Sequence, residues 1–485
     1  MASIIAIDQG TSSTKALLFS DEGRLIARED IANVQTYPHP GWVEQDAEKI
    51  YQGVLESIRR LPIQENKIQL LSISNQRETV VVWDRISGKP IYPAIIWQCN
   101  RASDLCESLE AHKQMVFQKT GLVLSPYFSA SKIAWILEHI QGARYLADAG
   151  RLLWGTIDCW LVWKLTGRHA TDISNASRTQ LLNIHTLKWD ADLSELFHIP
   201  PSMHPEVLDS NAFFGDTDLG GLLPKKIPIH GVMGDSQAAM FGQGCFFSGN
   251  VKATYGTGSS VAMMLGKTPR LSNNGLVTSV AWGISGQTDF IFEGNINCTG
   301  ATIRWLIDHL RIISDVKDAA ILAAQTESSE GVYLVPAFVG LGAPYWKSDA
   351  RALICGLTRG SSRGHIVRAA EECIAYQIKD VIDIMLQDSQ LELQNGIRVD
   401  GGVSNDEFLM QFQADMLSTT VKVAVLEEVS AFGSALMAGI GKAFWSLEEA
   451  TQMVGHKKAY YPTMEFERRN NLYNGWKKAV ERCIY

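Results

Sequence analysis

No apolar stretch in this 485-residue chain approaches the roughly 18 residues needed to cross a bilayer. Met1-Ala2-Ser3 leads directly into a β-branched run, leaving no room for a secretory leader, so a cytoplasmic protein is expected. There is no Lys/Arg-rich run, and the formal net charge is -8. Both argue against nucleic acid or a membrane surface as a partner and favour a small ligand. The eight cysteines include no CxxC pair and no histidine at metal-ligand spacing, which excludes a zinc ribbon and leaves most of them as small buried apolar residues. GxxxxGK[ST] is missing and no GxGxxG follows a strand, so neither a P-loop nor a dinucleotide fingerprint is present. Low-complexity tracts and Pro/Ser-rich linkers are absent too, which makes any domain junction a compact hinge.

What is present is a repeated device. Asp8-Gln9-Gly10-Thr11-Ser12-Ser13-Thr14-Lys15 follows the run Ile4 to Ile7, and Tyr255-Gly256-Thr257-Gly258-Ser259-Ser260 follows Val251 to Thr254. Glycines that let backbone amides approach an anion, flanked by hydroxyls, suit a phosphate chain. One such turn opening each half of the chain implies two similar domains facing one polyphosphate, consistent with a length too great for a single core. Strands are predicted over 4–7, 15–19 and 23–28, and again over 251–254, 260–264 and 277–284. A helix is predicted over 365–386, where apolar residues recur at helical spacing. The junction is placed near Gly242 to Gly249, giving domains 1–245 and 246–485.

Phosphoryl transfer requires positioning, cations, donors around the phosphates and a base. Asp8 is a candidate for magnesium and Thr11, Ser13 and Lys15 for phosphate oxygens, although an Asp before a glycine turn can simply initiate it. Asp235 ends a strand-like run and precedes a helix, so it is either a functional carboxylate or an N-cap. Asn75-Gln76-Arg77-Glu78-Thr79 sets polar residues between two apolar runs, where Arg77 and Glu78 suit the hydroxyls of a polyol or form a surface ion pair. Trp97 and Tyr127 could wall the carbon chain or belong to the core.

These segments resemble the FGGY family of carbohydrate kinases, and its glycerol kinase branch most. The agreement runs through DQGTSSTK (8–15), SNQRETVVVWD (74–84), SPYFSASKIAWIL (125–137), NASRTQLLNIHTLKWD (175–190), TYGTGS (254–259), VPAFVGLGAPYW (335–346) and VDGG (399–402). The resemblance implies an α/β fold of two actin-like (ribonuclease H-like) domains, each a five-stranded mixed sheet flanked by helices, with the active site in the interdomain cleft. It implies ATP-dependent phosphorylation of a terminal hydroxyl of a small polyol, glycerol foremost, with Mg2+ as cofactor. Asp235 falls on the family's catalytic base and Asp8 on the residue that holds the metal's water shell, with Asp235 also near the metal. Thr11, Lys15, Thr257 and Gly258 fall on phosphate contacts. Gly300, Arg304 and Gly402, with Asn405 or Asp406, fall on the nucleotide site. Arg77, Glu78, Trp97 and Tyr127 fall on substrate contacts, and analogy extends to a homodimer or homotetramer.

The sequence departs from that branch at Ser236 (Gln in the branch), Ser260 (Phe), Cys99-Asn100 (where a carboxylate is expected) and Arg304 (Gln). The two serines imply a wider, more polar pocket and open the alternative of a four- or five-carbon polyol or ketose. A non-catalytic actin-like nucleotide switch is the other alternative. The glycine-rich loop that binds fructose bisphosphate in some relatives is missing around Gly220 to Lys226, and the histidine that a phosphocarrier modifies in others falls on Ala212. Fructose 1,6-bisphosphate should therefore leave turnover unchanged in a titration at fixed ATP, and measurable inhibition would contradict this.

Overall fold

The computed structural model describes residues 2–484. Six strands make the first sheet: β1 (Ala2–Gln9), β2 (Ser13–Ser20), β3 (Leu25–Ala32), β4 (Lys67–Asn75), β5 (Gly215–Thr217) and β6 (Ile227–Gly234), in the order β5-β6-β4-β1-β2-β3. Seven make the second: β7 (Val251–Tyr255), β8 (Ser259–Gly266), β9 (Val277–Ile284), β10 (Gln287–Ile296), β11 (Ile397–Asp400), β12 (Val421–Ala424) and β13 (His456–Tyr460), in the order β9-β10-β8-β7-β11-β12-β13. A common five-strand core lies inside both. β3-β2-β1-β4-β6 and β10-β8-β7-β11-β12 have the same order, an antiparallel meander joined to two parallel strands. The five-stranded expectation is corrected by edge strands, β5 on the first sheet and β9 and β13 on the second.

The sequence-predicted strands are present: 277–284 keeps its bounds, 23–28 begins later and runs over Leu25–Ala32, and the other four extend beyond the predicted stretches. β10 is not among them, although its partners β8 and β9 are. The helices that matter below are α1 (Ser129–His139), α2 (Asp235–Gly242), α3 (Gly300–Asp308), α4 (Arg363–Ser389), α5 (Glu407–Leu417), α6 (Val429–Gly441) and α7 (Leu447–Met453). α4 contains the predicted 365–386 helix and presents Val367, Ala370, Ile374, Ile378, Val381 and Met385 to the second core. No helix among the described residues is long and apolar enough to cross a membrane.

Separate cores lie in the two halves, and a third joins them. The joining core is built on α2 and α6, which pack together while α6 also covers β6, β4 and β1 of the first sheet. Small residues allow this approach. A Cβ on Gly433 would stand 1.8 Å from the Ala238 carbonyl oxygen, and one on Gly242 would stand 2.3 Å from that of Val429. Ser72 and Ser434 meet through their hydroxyls at 3.0 Å across the seam. Gly433→Ala should therefore cost about 3 kcal/mol in urea unfolding, the upper end for an overpacked core. A loss below 1 kcal/mol would mean that the helices can move apart.

Candidate active site

Parallel strands point their carboxyl ends at one place, and ligands of such sheets bind there. Asp8 lies near the end of β1, Gln76 to Thr79 follow β4, and Asp235 follows β6, so neighbouring strands deliver all of them to one edge of the first sheet. On the second sheet the Gly256–Gly258 turn follows β7, and Gly401-Gly402 follows the adjacent β11.

Asp235 is the first residue of α2, and Gly234 holds the cap position, which removes the N-cap reading. Its Oδ1 accepts from the Ser236 amide at 2.7 Å and lies 3.5 Å from Arg77 Nε. The side chain is 40 % exposed, and its carboxyl is packed about by protein on its other side. Desolvation there raises its carboxyl above the usual range, with Arg77 opposing and Glu78 adding to the shift. Desolvation thus makes Asp235 a stronger base than an ordinary aspartate.

The surface-pair reading of Arg77 and Glu78 is likewise replaced, since both are buried. Arg77 does not offer its fork to a ligand. Nη1 and Nη2 donate to Glu293 Oε2 at 2.6 Å and Oε1 at 2.9 Å, and Nη1 also donates to Gln237 Oε1 at 3.2 Å. Glu78, in left-handed backbone at φ +61°, accepts from Arg178 Nε at 2.6 Å through Oε1. Arg178 reaches back to Glu293 at 3.4 Å and to the Ser279 hydroxyl at 2.9 Å. The four charges close a buried ring that spans both halves of the chain. After the burial that opposes ionisation, Arg178 and Arg77 act together to hold the Glu293 carboxyl far below the carboxylate range.

Glu293, Arg178 and Lys252 are functional candidates that the sequence reading missed. Glu293 lies mid-strand on the unforeseen β10, and Arg178 within NASRT, a segment quoted for resemblance without a role. Lys252 hides in the apolar run of β7, with its Nζ donating to Ser236 Oγ at 3.1 Å. Ser236 in turn meets Ser260 Oγ at 3.3 Å, so the serines substituted in this chain form a polar wall beside Asp235. Trp97 and Tyr127 meet edge to face at 5.6 Å between centroids. Lys132 on α1 holds the Tyr127 loop by donating to the carbonyls of Pro126, Tyr127 and Phe128 at 2.5, 2.5 and 3.0 Å. Burial pushes its ammonium down to about 7.

In the first turn Gly10 N donates to the Ser13 carbonyl at 2.9 Å, while the amides of Thr11 and Ser12 have no acceptor among the described residues. The Thr11 hydroxyl is engaged, accepting from Trp97 Nε1 at 2.9 Å. Ser13 opens β2 half-buried, and Lys15 sits between Glu428 at 2.7 Å and Asp8 at 3.9 Å rather than standing free. The second turn leaves Thr257 exposed with Gly258 beside it, while its carbonyls accept from the first amides of α3, including that of Gly300. Arg304 is exposed on α3. At the nucleotide end two of the candidate side chains have partners within the protein. Asp406 caps α5 by accepting from the Leu409 amide at 2.9 Å, and Asn405 Oδ1 is taken by Lys457 at 2.7 Å. Gly402 lies exposed, and a Cβ there would meet nothing within 4 Å, which leaves open backbone beside the turn.

A magnesium nucleotide suits this donor set. Among the described residues no cluster of three or more His, Cys, Asp or Glu could cage a metal. Mg2+ characteristically uses one or two carboxylates together with phosphates and water. Asp8 accepts from Ser74 Oγ at 2.9 Å, and burial raises its carboxyl to about 6, with Lys15 opposing and Asp235 adding repulsion. A raised folded value means that the native protein binds a proton more tightly than the unfolded chain. Stability is therefore lost as pH rises from about 4 to about 6. Asp8→Asn should raise the melting temperature of the nucleotide-free protein at pH 7.5 and should not do so at pH 4. An equal shift at both values would mean that the carboxylate carries no such cost.

The FGGY carbohydrate kinase N-terminal domain model matches residues 3–242 and the C-terminal domain model matches 251–441. Glycerol kinase 1 of Thermotoga maritima is 48% identical, covering 99% of both chains. The glycerol kinase of Oceanobacillus iheyensis is 46% identical over 99% of this chain and 97% of its own. The crystal structure of Plasmodium falciparum glycerol kinase with ADP superposes at a TM-score of 0.96 and 34% identity, covering 100% of this chain and 99% of that one. With both halves matched and full-length relatives at this identity, the chain belongs to the FGGY family of carbohydrate kinases.

Proposed function

We propose that this kinase transfers the γ-phosphoryl group of ATP to a terminal hydroxyl of glycerol, with Asp235 as the base. The observation that carries the reading is the placement of Asp235, on a cleft floor between the Arg77 edge and the polar wall, close enough to Asp8 for the two charges to repel. We assign residues 1–245 to the polyol side and 246–485 to the nucleotide side. Oδ1 of Asp235 is committed to the Ser236 amide, so Oδ2 is the atom that takes the hydroxyl proton. Arg77 Nε then faces the carboxyl group from 3.5 Å and favours its ionised form before transfer. Glu78 keeps Oε2 for a substrate hydroxyl, because Oε1 is held by Arg178. Trp97 and Tyr127 cover the carbon chain and exclude water, which would otherwise compete as acceptor. ATP with Mg2+ supplies the phosphoryl group and neutralises the charge on its oxygens. Asp8, Thr11, Ser13 and Lys15 from the first half, and Thr257, Gly258, Gly300, Arg304 and Gly402 from the second, are the candidates to hold it.

Ser236, Ser260 and Lys252 favour a second reading, a four- or five-carbon polyol or ketose whose extra hydroxyl would meet that wall. An ADP-release assay over glycerol, tetritols, pentitols and ketopentoses separates the two. Glycerol should give the highest kcat/KM, and a longer polyol in first place would establish the second reading. Asp235→Asn should lower kcat by roughly 10²–10⁴-fold, the range for loss of a general base, while nucleotide affinity in a direct titration changes little. Wild-type kcat/KM should fall toward acid pH as the raised Asp235 carboxyl takes up a proton. A profile flat down to pH 4 would remove Asp235 from the role of base.

A further inference from the structure

Behind the catalytic edge, a cavity of about 100 Å3 lies between the far end of α2 and the second sheet. Gln243 and Gly244 bound it on one side, Arg398 of β11 and Lys422 of β12 on another, with Val454 and His456 at the mouth. Arg398 and Lys422 are register partners on parallel strands, so their side chains leave the same face of the sheet side by side. Among the described residues none of Arg398, Lys422 and His456 forms an ion pair with a carboxylate. The carboxylate on that face, Asp400, has Lys252 as its charge partner.

The polar atoms in this cavity are buried without partners. Gln243 is 3 % exposed, yet its amide oxygen makes no hydrogen bond, and Arg398 Nη1 is also unpaired, while Asp400, outside the cavity lining, has Gln243 and Thr254 beside it. Leaving such groups unsatisfied is costly, so the arrangement calls for a polar occupant. Cations and an amide N–H require an anion. The orphaned oxygen of Gln243 requires that the same anion also donate. We infer that this cavity is a binding site for a hydrogen-bearing oxyanion, hydrogen phosphate or the monoanionic phosphoryl group of a small ester. Sulfate, which has no proton to donate at neutral pH, leaves that oxygen unpaired. The site is separate from the nucleotide turns and lies at the opposite end of α2 from Asp235, about 12 Å away at 1.5 Å rise per residue.

The test uses full-length protein saturated with Mg2+ and adenylyl imidodiphosphate, so that the catalytic phosphate positions are filled, titrated calorimetrically with inorganic phosphate at constant ionic strength. One site per chain is expected, at least tenfold tighter than for sulfate, with a rise in melting temperature that chloride does not reproduce. Arg398→Gln and Lys422→Gln should each weaken phosphate at least tenfold while leaving turnover unchanged. Lys422 is half-buried and unpaired, so its variant keeps the test valid should Arg398→Gln fail to fold. Methyl phosphate, run alongside, assigns the free ion if it does not bind and the phosphoryl group in general if it does. Absence of phosphate binding, equal binding of sulfate, or unaltered binding by the folded Lys422→Gln protein would overturn the assignment. None of these outcomes depends on which polyol is phosphorylated.

Discussion

The bidentate pair between Arg77 and Glu293 is the contact on which the catalytic arrangement rests. Its members come from opposite halves of the chain, both are buried, and their two hydrogen bonds are 2.6 and 2.9 Å long. Breaking such a pair by removing one partner leaves a desolvated charge, typically a loss of about 3–5 kcal/mol. A hydrophobic pair could join the halves at lower desolvation cost. What the ion pair adds is direction, since the planar fork fixes the guanidinium and so aims Nε at Asp235. Glu78 and Arg178 complete the ring, with Glu78 in left-handed backbone and its Oε1 held by Arg178.

Much of this was legible in the chain, and the failures have physical causes. Asp8 and Asp235 stand out as candidates because the end of a buried strand followed by glycine or a helix start is a local pattern. Arg77 and Glu78 were found as an isolated polar group between apolar runs, but their partners were not. An ion pair across more than two hundred residues leaves no spacing to read, and Glu293 lies in a strand whose pattern is interrupted by glycine and asparagine. Lys252 looks like an ordinary strand lysine until its register beside Arg398 shows which face it takes. The internal partners of Asn405 and Asp406 are equally illegible in the sequence, because capping and contact with a distant lysine depend on the fold. Two similar halves were implied by the repeated turns and their five-stranded cores by the family resemblance alone, whereas edge strands, which follow no repeat, were not.

The polar wall shows how substitution at two positions can be coherent. Ser236 and Ser260 lie far apart in sequence, yet their hydroxyls touch, and Lys252 donates to one of them. A single serine in place of a larger side chain would leave a hydroxyl facing a gap. Two serines with a buried ammonium satisfy one another, so the wall is complete before a substrate arrives and can exchange its internal hydrogen bonds for bonds to a ligand.

The interleaving of the two halves has a consequence for how the protein comes to be made. α6 lies late in the chain, at Val429–Gly441, yet it covers β1, β4 and β6, which are laid down within the first 234 residues. Through most of translation that face of the first sheet, lined by Ile4, Ala6, Leu70 and Met233, has only α2 beside it and lacks α6. The nascent polypeptide must carry a bare apolar surface until its last tenth emerges from the ribosome, so a transcript cut at the junction would yield a fragment prone to aggregate rather than half an enzyme.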